Sequence, residues 1–424
     1  MVEQSEAEED RRKPSSLPDV RVPALWTFIG LAAGLLAGML TQGTSLQPFL
    51  LSIAEPVGAL WLRALKMTIV PLVAALLVTG IVQMVAAAGA GAMARRTLGL
   101  FALLLFTGAV LSALIVPPLV ELLPIPQGAT AALSGGLAAA TGPVPGIADF
   151  LATVVPENIV AAAASDAMLS IVAFFAVLAL AITRLADAPR SHLSGLFEAI
   201  AGAMLIVIGW VLAIAPVGVL ALGYVVAANS GGAAIGALMH YILVVSSIGV
   251  VVFLGGYVMA GLAARQGPQR FARAMLPVQA VAISTQSSLA SLPAMLEACR
   301  KLGVREATAD FVLPLAVALF RATGPAMNLA VAIYVAKLAG VPITPGMLVA
   351  GVAAATLTTL GAPSLPGSIS FVTSIAPIAV AMGVPIGPLA LLVAVEMLPD
   401  IMRTLGNVTM DVAVTATVDR RTRD

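Results

Sequence analysis

The chain predicts an all-α polytopic membrane protein, with eight transmembrane helices and two re-entrant hairpins of opposite orientation forming inverted repeats. Three observations carry this. Apolar residues make up 60% of the 424 residues and charged ones 10%, with a mean hydropathy of +1.04; soluble domains carry about 25% charged residues. Apolar runs long enough to cross a hydrocarbon core of about 30 Å recur along the sequence. The basic residues between those runs fall on alternate sides. A formal net charge of +1 points to no particular partner.

In chain order, residues 1–22 are charged and hydrophilic, the composition of an unpacked cytoplasmic tail rather than a cleavable signal peptide. Spanning runs follow at 23–41, 67–88, 97–120, 158–183, 198–226 and 234–263, with alternate loops at 42–60, 121–157 and 227–233. Those three loops lack basic residues, apart from Arg63 and Lys66 at the mouth of the second span. The opposite side collects Arg11, Arg12, Lys13 and Arg21, then Arg95 and Arg96, Arg184 and Arg190, and Arg265, Arg270 and Arg273. Cytoplasmic loops are the basic ones, so both termini are expected in the cytoplasm.

The last third has a different pattern. Segment 275–299 is apolar but broken by Ser284, Ser287, Ser288, Ser291 and Pro293, with basic residues at both ends. Segment 345–383 is broken at Gly361-Ala-Pro363-Ser364-Leu-Pro366-Gly367-Ser368, with no basic cluster at either end. Non-helical backbone at membrane depth needs protein or a water-filled cavity around it. Two hairpins entering from opposite sides fit an inverted repeat with a site near the midplane; two kinked spanning helices are the alternative.

Candidate site residues lie mostly in the final helix. Asp400, Arg403, Thr404, Asn407 and Asp411 stand at i, i+3, i+4, i+7 and i+11 and share one face, with Glu396 a turn earlier. Each ionised group near a bilayer centre costs at least about 2.5–3.5 kcal/mol on insertion scales, so such a stripe faces protein, water or a ligand. A structural set of ion pairs and a binding path for a charged solute both satisfy that rule. Cys299 is alone, and His192 and His240 are far apart, so no disulfide, metal motif or nucleophile–histidine pair is expected.

Asp400-x-x-Arg403-Thr404-x-x-Asn407-Val408-Thr409-x-Asp411 resembles the last transmembrane helix of the dicarboxylate/amino acid:cation symporters, the family of the glutamate transporters. Leu65-Lys66-Met67-Thr-Ile-Val70-Pro71-Leu72-Val73, Val155-Pro156-Glu-Asn158-Ile, Ala215-Pro216-Val-Gly218-Val219, Ser287-Ser288-Leu-Ala-Ser291-Leu-Pro293 and Phe311-Val-Leu-Pro314-Leu315 match its other helices and first hairpin in order. The resemblance implies a homotrimer, with scaffold helices 1–2 and 4–5 in residues 23–92 and 123–230. Helix 3 (93–122) and residues 231–418 would form the moving transport domain, and 419–424 a cytoplasmic tail. It also implies that Arg403 binds a substrate side-chain carboxylate, Asp400 the amino group and Asn407 the α-carboxylate, with Thr404, Ser287 and Ser288 beside them. Members for neutral amino acids tend to lack the arginine, and members for plain dicarboxylates the aspartate.

The chain departs from the family where sodium is held. The family's Asn-Met-Asp-Gly-Thr falls on Phe320-Arg321-Ala322-Thr323-Gly324, and its Tyr-x-x-Thr-Ser on Leu104-x-x-Thr107-Gly108. Asn328 could replace the lost Asn only by shifting the register. Asp411 remains as a doubtful sodium ligand, with Asn407 beside it. Arg321 adds a fixed positive charge, expected to act as a cation surrogate paired with Asp411 or the substrate, or to turn outward. Against Arg403 alone stand Glu396, Asp400 and Asp411; Arg321 narrows that imbalance.

The expectation is a symporter in the plasma membrane, not an enzyme, moving acidic amino acids or dicarboxylates by an elevator-type motion. Its coupling ion would be H+ or fewer Na+, without another cofactor. The expected partners are a small anionic solute, membrane lipid and two further copies of the chain, with no nucleic acid. An uncoupled exchanger or an anion channel using the same site is the alternative.

Overall fold

The computed structural model describes residues 24–88, 91–126, 155, 157–164, 168–230, 233–360 and 367–422, and those residues are helical with short connections and no strand. The expected tail 1–22 and the break at 361–366 lie outside them. Among the described residues, Ala92–Leu122, Asp187–Ala213, Ile235–Leu262 and the interrupted stretch Glu306–Leu338 are long and apolar enough to cross a membrane.

Helix α1 (Ala24–Thr41) is the first expected span, and the expected loop after it is instead mostly helix α2 (Gln47–Lys66). Ala54, Gly58 and Trp61 are its buried stripe at helical spacing, while Glu55 and Pro56 face outward. That exposed Glu-Pro pair reads as a breaker when the sequence is taken alone. The Trp61 indole N–H donates to Val211 O at 3.0 Å. Next come α3 (Ile69–Ala88) and α4 (Ala92–Leu122), matching the second and third runs.

The fourth run appears as α5 (Ile159–Ala164) and α6 (Met168–Ile182), and the fifth as α7 (Asp187–Ala213) and α8 (Ala215–Ser230). The fifth breaks at Ile214 because Pro216 lacks the N–H that a continuous helix would use. Helix α9 (Ala233–Leu262) is the sixth run. The first hairpin has arms α10 (Pro268–Thr285) and α11 (Leu292–Leu302), joined through Gln286 in the left-handed conformation at φ 50°.

The seventh helix is two pieces, α12 (Glu306–Leu319) and α13 (Thr323–Leu338), interrupted at Phe320, Arg321 and Ala322. The second hairpin has arms α14 (Pro345–Leu360) and α15 (Gly367–Ala381); its tip is not among the described residues. A short α16 (Leu389–Leu392) precedes α17 (Met397–Arg421). The expected tail from 419 is therefore helix up to Arg421. Asp419 is buried and accepts from Arg305 Nε at 2.6 Å and Thr308 Oγ1 at 2.9 Å, which carries the helix past the last apolar residue.

Packing falls into two zones. α1 lies along α8 with α2 beside it, and α3 packs on α6, α7 and both arms of the second hairpin; α17 lies along α9, with α13, α4 and both hairpins around it. Around the first hairpin, Phe271, Met275, Val278, Met295, Cys299, Val408 and Val412 form an apolar core of their own.

Candidate functional site

Where α17 begins, it meets the broken start of α13 and the middle of α9. Gly406 permits this approach: a Cβ there would stand 2.4 Å from the Thr323 methyl. Gly249 on α9 faces the Met402 side chain in the same way, at 2.8 Å. The small residues bring the backbones close, and the polar stripe of α17 is enclosed as a result.

Arg403 is the centre of the enclosed group. Its Nη2 donates to Glu396 Oε1 at 2.6 Å, its Nη1 to Asn328 Oδ1 at 2.8 Å, and its Nε stands 3.3 Å from Asp400 Oδ1. Glu396 is held in turn by the Tyr241 hydroxyl, which donates to Oε2 at 3.1 Å. Glu396, Asp400 and Arg403 are 1%, 6% and 4% exposed, so these charges meet little water, and two carboxylates stand against the one guanidinium. Charge-assisted bonds of this kind are about twice as strong as neutral ones. A guanidinium so framed has its plane fixed, the condition for receiving a further carboxylate in a defined direction.

Asn407 is tied one turn further along. Its side-chain oxygen accepts from the Thr323 amide at 2.9 Å and from the Thr323 hydroxyl at 2.8 Å, and that hydroxyl also lies 3.1 Å from Arg403 O. The break in the seventh helix thus spends its first free N–H on Asn407. Thr404 turns its hydroxyl back along α17 to Asp400 O at 3.0 Å.

The other expected site residues lie apart from this cluster. Ser287 serves its own turn: its hydroxyl accepts from Ala290 N at 3.2 Å, and its carbonyl from Ser291 at 2.9 Å. Among the described residues no hydrogen bond joins Ser287 or Ser288 to Arg403 or Asp400. The hairpin tip reaches α17 through Gln286 instead, whose amide donates to Met397 O at 3.2 Å.

Asp411 is fully buried, and neither of its carboxylate oxygens has a hydrogen-bond partner among the described residues. Of the alternatives for Arg321, pairing with Asp411, with the solute or turning outward, the first has no hydrogen bond among the described residues. Arg321 stands at the break in the seventh helix, where Asp400 and Arg403 are the charged groups that act on it.

The residues at the broken segment test whether a cation could sit there. Phe320 stacks on Phe101 of α4, ring centroids 4.4 Å apart and planes 7° from parallel. Gly108 of α4 faces Ala322 O, and Gly324 faces Thr359 of α14. Phenyl faces and glycines leave few side-chain oxygens here, so this position offers little side-chain ligation to a sodium ion. Asp411 offers two oxygens, but the Asn407 oxygen is already engaged by Thr323.

Tyr241, Asn328 and Thr323 are functional neighbours that the polar stripe of α17 does not reveal. Their signal is weak but present: each is a polar side chain inside an apolar run.

The chain is 26% identical over 390 residues to the proton/sodium-glutamate symport protein of Bacillus subtilis (strain 168), covering 90% of this chain and 88% of that one. It is 27% identical over 366 residues to the proton/glutamate-aspartate symporter of Escherichia coli (strain K12), covering 84% and 82%. It is also 27% identical over 440 aligned positions to the neutral amino acid transporter A of Homo sapiens, covering 91% and 79%. The sodium:dicarboxylate symporter family matches residues 24–421, which include every helix and the whole enclosed cluster, and the chain belongs to that family of transporters.

Proposed function

We propose that the protein is a secondary active transporter of acidic amino acids or related dicarboxylates, coupled to protons or to fewer sodium ions than a full set of family sites would hold. The observation that carries this reading is Arg403, enclosed between Glu396, Asp400 and Asn328. In it Arg403 receives the solute's distal carboxylate through a bidentate fork, and Asp400 receives an ammonium group. Relatives named for glutamate, for aspartate and for neutral amino acids all match, so likeness alone does not choose the solute. The arginine favours the acidic class.

Coupling follows from Asp411 and the broken helix. An ionised carboxylate without partners costs several kcal/mol unless a proton or a cation accompanies it. Phe101 and Phe320 leave the neighbouring position few side-chain oxygens for an ion. The reading is completed by eight transmembrane helices, cytoplasmic termini and a homotrimer in the plasma membrane. In each subunit α4 and α9–α17 move as an elevator against α1–α3 and α5–α8.

Aspartate uptake into proteoliposomes, with sodium and proton gradients imposed separately, tests this. Uptake is expected to follow the proton gradient and to depend little on sodium. Steep sodium dependence at fixed pH, lost on replacement by choline, would show that backbone carbonyls rebuild the missing site.

A further inference from the structure

At its outer end the enclosed cluster continues into a chain of polar side chains that the transport reading leaves unused. His240 of α9 is partly exposed. Its Nε2 lies 2.9 Å from Leu123 O, just past the end of α4, and its Nδ1 lies 3.2 Å from the Tyr334 hydroxyl of α13. That hydroxyl also lies 3.1 Å from Ala237 O. The Tyr334 ring meets the Tyr241 ring edge-on, with centroids 5.4 Å apart, and Tyr241 holds Glu396.

Counting protons gives this chain two states. A carbonyl only accepts, so Leu123 O requires a proton on Nε2. Tyr334 has a single hydroxyl proton and two acceptors in reach. With a neutral imidazole, the hydroxyl proton satisfies Nδ1. With an imidazolium, Nδ1 itself donates to the Tyr334 oxygen, and the hydroxyl proton turns to Ala237 O. In an α-helix Ala237 O also accepts the amide of residue i+4, which is Tyr241. Protonating His240 therefore alters the carbonyl that holds the Tyr241 backbone and the ring packed against its side chain.

We infer that His240 is a positioning residue that reports outside pH to the Glu396–Arg403 pair through Tyr334 and Tyr241. The inference rests on Arg403 being the solute's anchor. Other charged groups packed near His240 are Glu121 and Lys337, whose side chains pair at 3.0 Å. Tyr334 and Tyr241 are the other titratable side chains on the path, and Glu396, Asp400 and Arg403 lie at its inner end. Histidine is the side chain whose ordinary charge change falls between about pH 5 and about pH 8.

The test measures aspartate affinity in oriented proteoliposomes across that outside pH range at fixed inside pH. Wild type should show a several-fold change. His240→Gln, which keeps a donor for Leu123 O but cannot take up a proton, should flatten the profile to the part that proton coupling itself supplies, while retaining uptake. Tyr334→Phe should flatten it too, and Glu121→Gln should not. An unchanged profile in His240→Gln, a flat wild-type profile, or one that is removed by Glu121→Gln and persists in His240→Gln overturns the inference. Arg403→Ala separates the two levels: full uptake in that variant removes the anchor reading, whatever the histidine variants do.

Discussion

The contact between α1 and α8 and the contact among α9, α13 and α17 hold helices together by opposite means. In the first, backbone lies on backbone. A Cβ added at Gly30, Gly34 or Gly38 would stand 2.4, 2.2 or 2.6 Å from the carbonyl oxygens of Pro216, Leu220 and Tyr224. Polar bonds there sit at the end of the pair, where Thr41 Oγ1 meets Tyr224 OH at 2.9 Å and Gln47 donates to Ala228 O at 2.9 Å. Small residues at such spacing allow close packing where lipid supplies no hydrophobic drive between helices. In the second contact the charges lie inside and bind one another. A buried ion pair adds little net stability, so stability alone does not account for Glu396, Asp400 and Arg403, whereas the proposed solute site does. The first contact suits a static frame, and the second a part whose partners change.

Four substitutions probe that contrast. The largest effect is expected from Arg403→Ala, which leaves Glu396 and Asp400 buried without their cation, a loss of about 3–5 kcal/mol. Uptake should vanish and the melting temperature in detergent should fall; Glu396→Gln added to it should recover stability but not uptake. Asp400→Asn should weaken aspartate binding by about 1.5–3 kcal/mol, the range for a hydrogen bond to a charged group, and succinate by less. Equal losses for the two solutes in competition assays would show that Asp400 does not read an amine.

Gly34→Val tests the other contact. Overpacking against Leu220 O should cost about 1–3 kcal/mol, seen as a lower melting temperature, with solute affinity of the folded fraction unchanged. An affinity loss like that of Arg403→Ala would mean that the two contacts are not separate in function. The smallest effect is expected from Thr323→Val, which removes one hydroxyl bond to Asn407 while the amide bond remains. It should cost about 0.5–1.5 kcal/mol in thermal stability, and no measurable change would assign the hold on Asn407 to the amide alone.

The same contrast explains what could be read from sequence. Long uniform apolar runs such as 97–120 and 234–263 are visible because lipid demands them, and the resulting helices α4 and α9 fall where expected. The stripe on α17 is visible because charge in an apolar setting is rare. Helix α2 was hidden by its exposed Glu55-Pro56, and the break at Ile214 by the apolar residues on both sides of it. Two partners in the cluster, Asn328 for Arg403 and Tyr241 for Glu396, could not be read from spacing. Asn328 lies 75 positions away and Tyr241 forms its bond to Glu396 across 155. Only packing brings them together, and nothing local in either segment points to the other. Which of its alternatives Arg321 takes is open in the sequence for a similar reason: its direction depends on where the helix breaks.

Arg321 has an electrical consequence. A cation that binds outside and leaves inside contributes its charge to the current on each turnover. A guanidinium bonded to the chain crosses the field with the load and returns with the empty carrier, so its two displacements cancel. In the proposed carrier it would shape how voltage divides between the loaded and empty strokes, at up to about 2.3 kcal/mol per charge per 100 mV. It would add nothing to the net charge moved per cycle, so the steady current counts only the solute and the mobile ions.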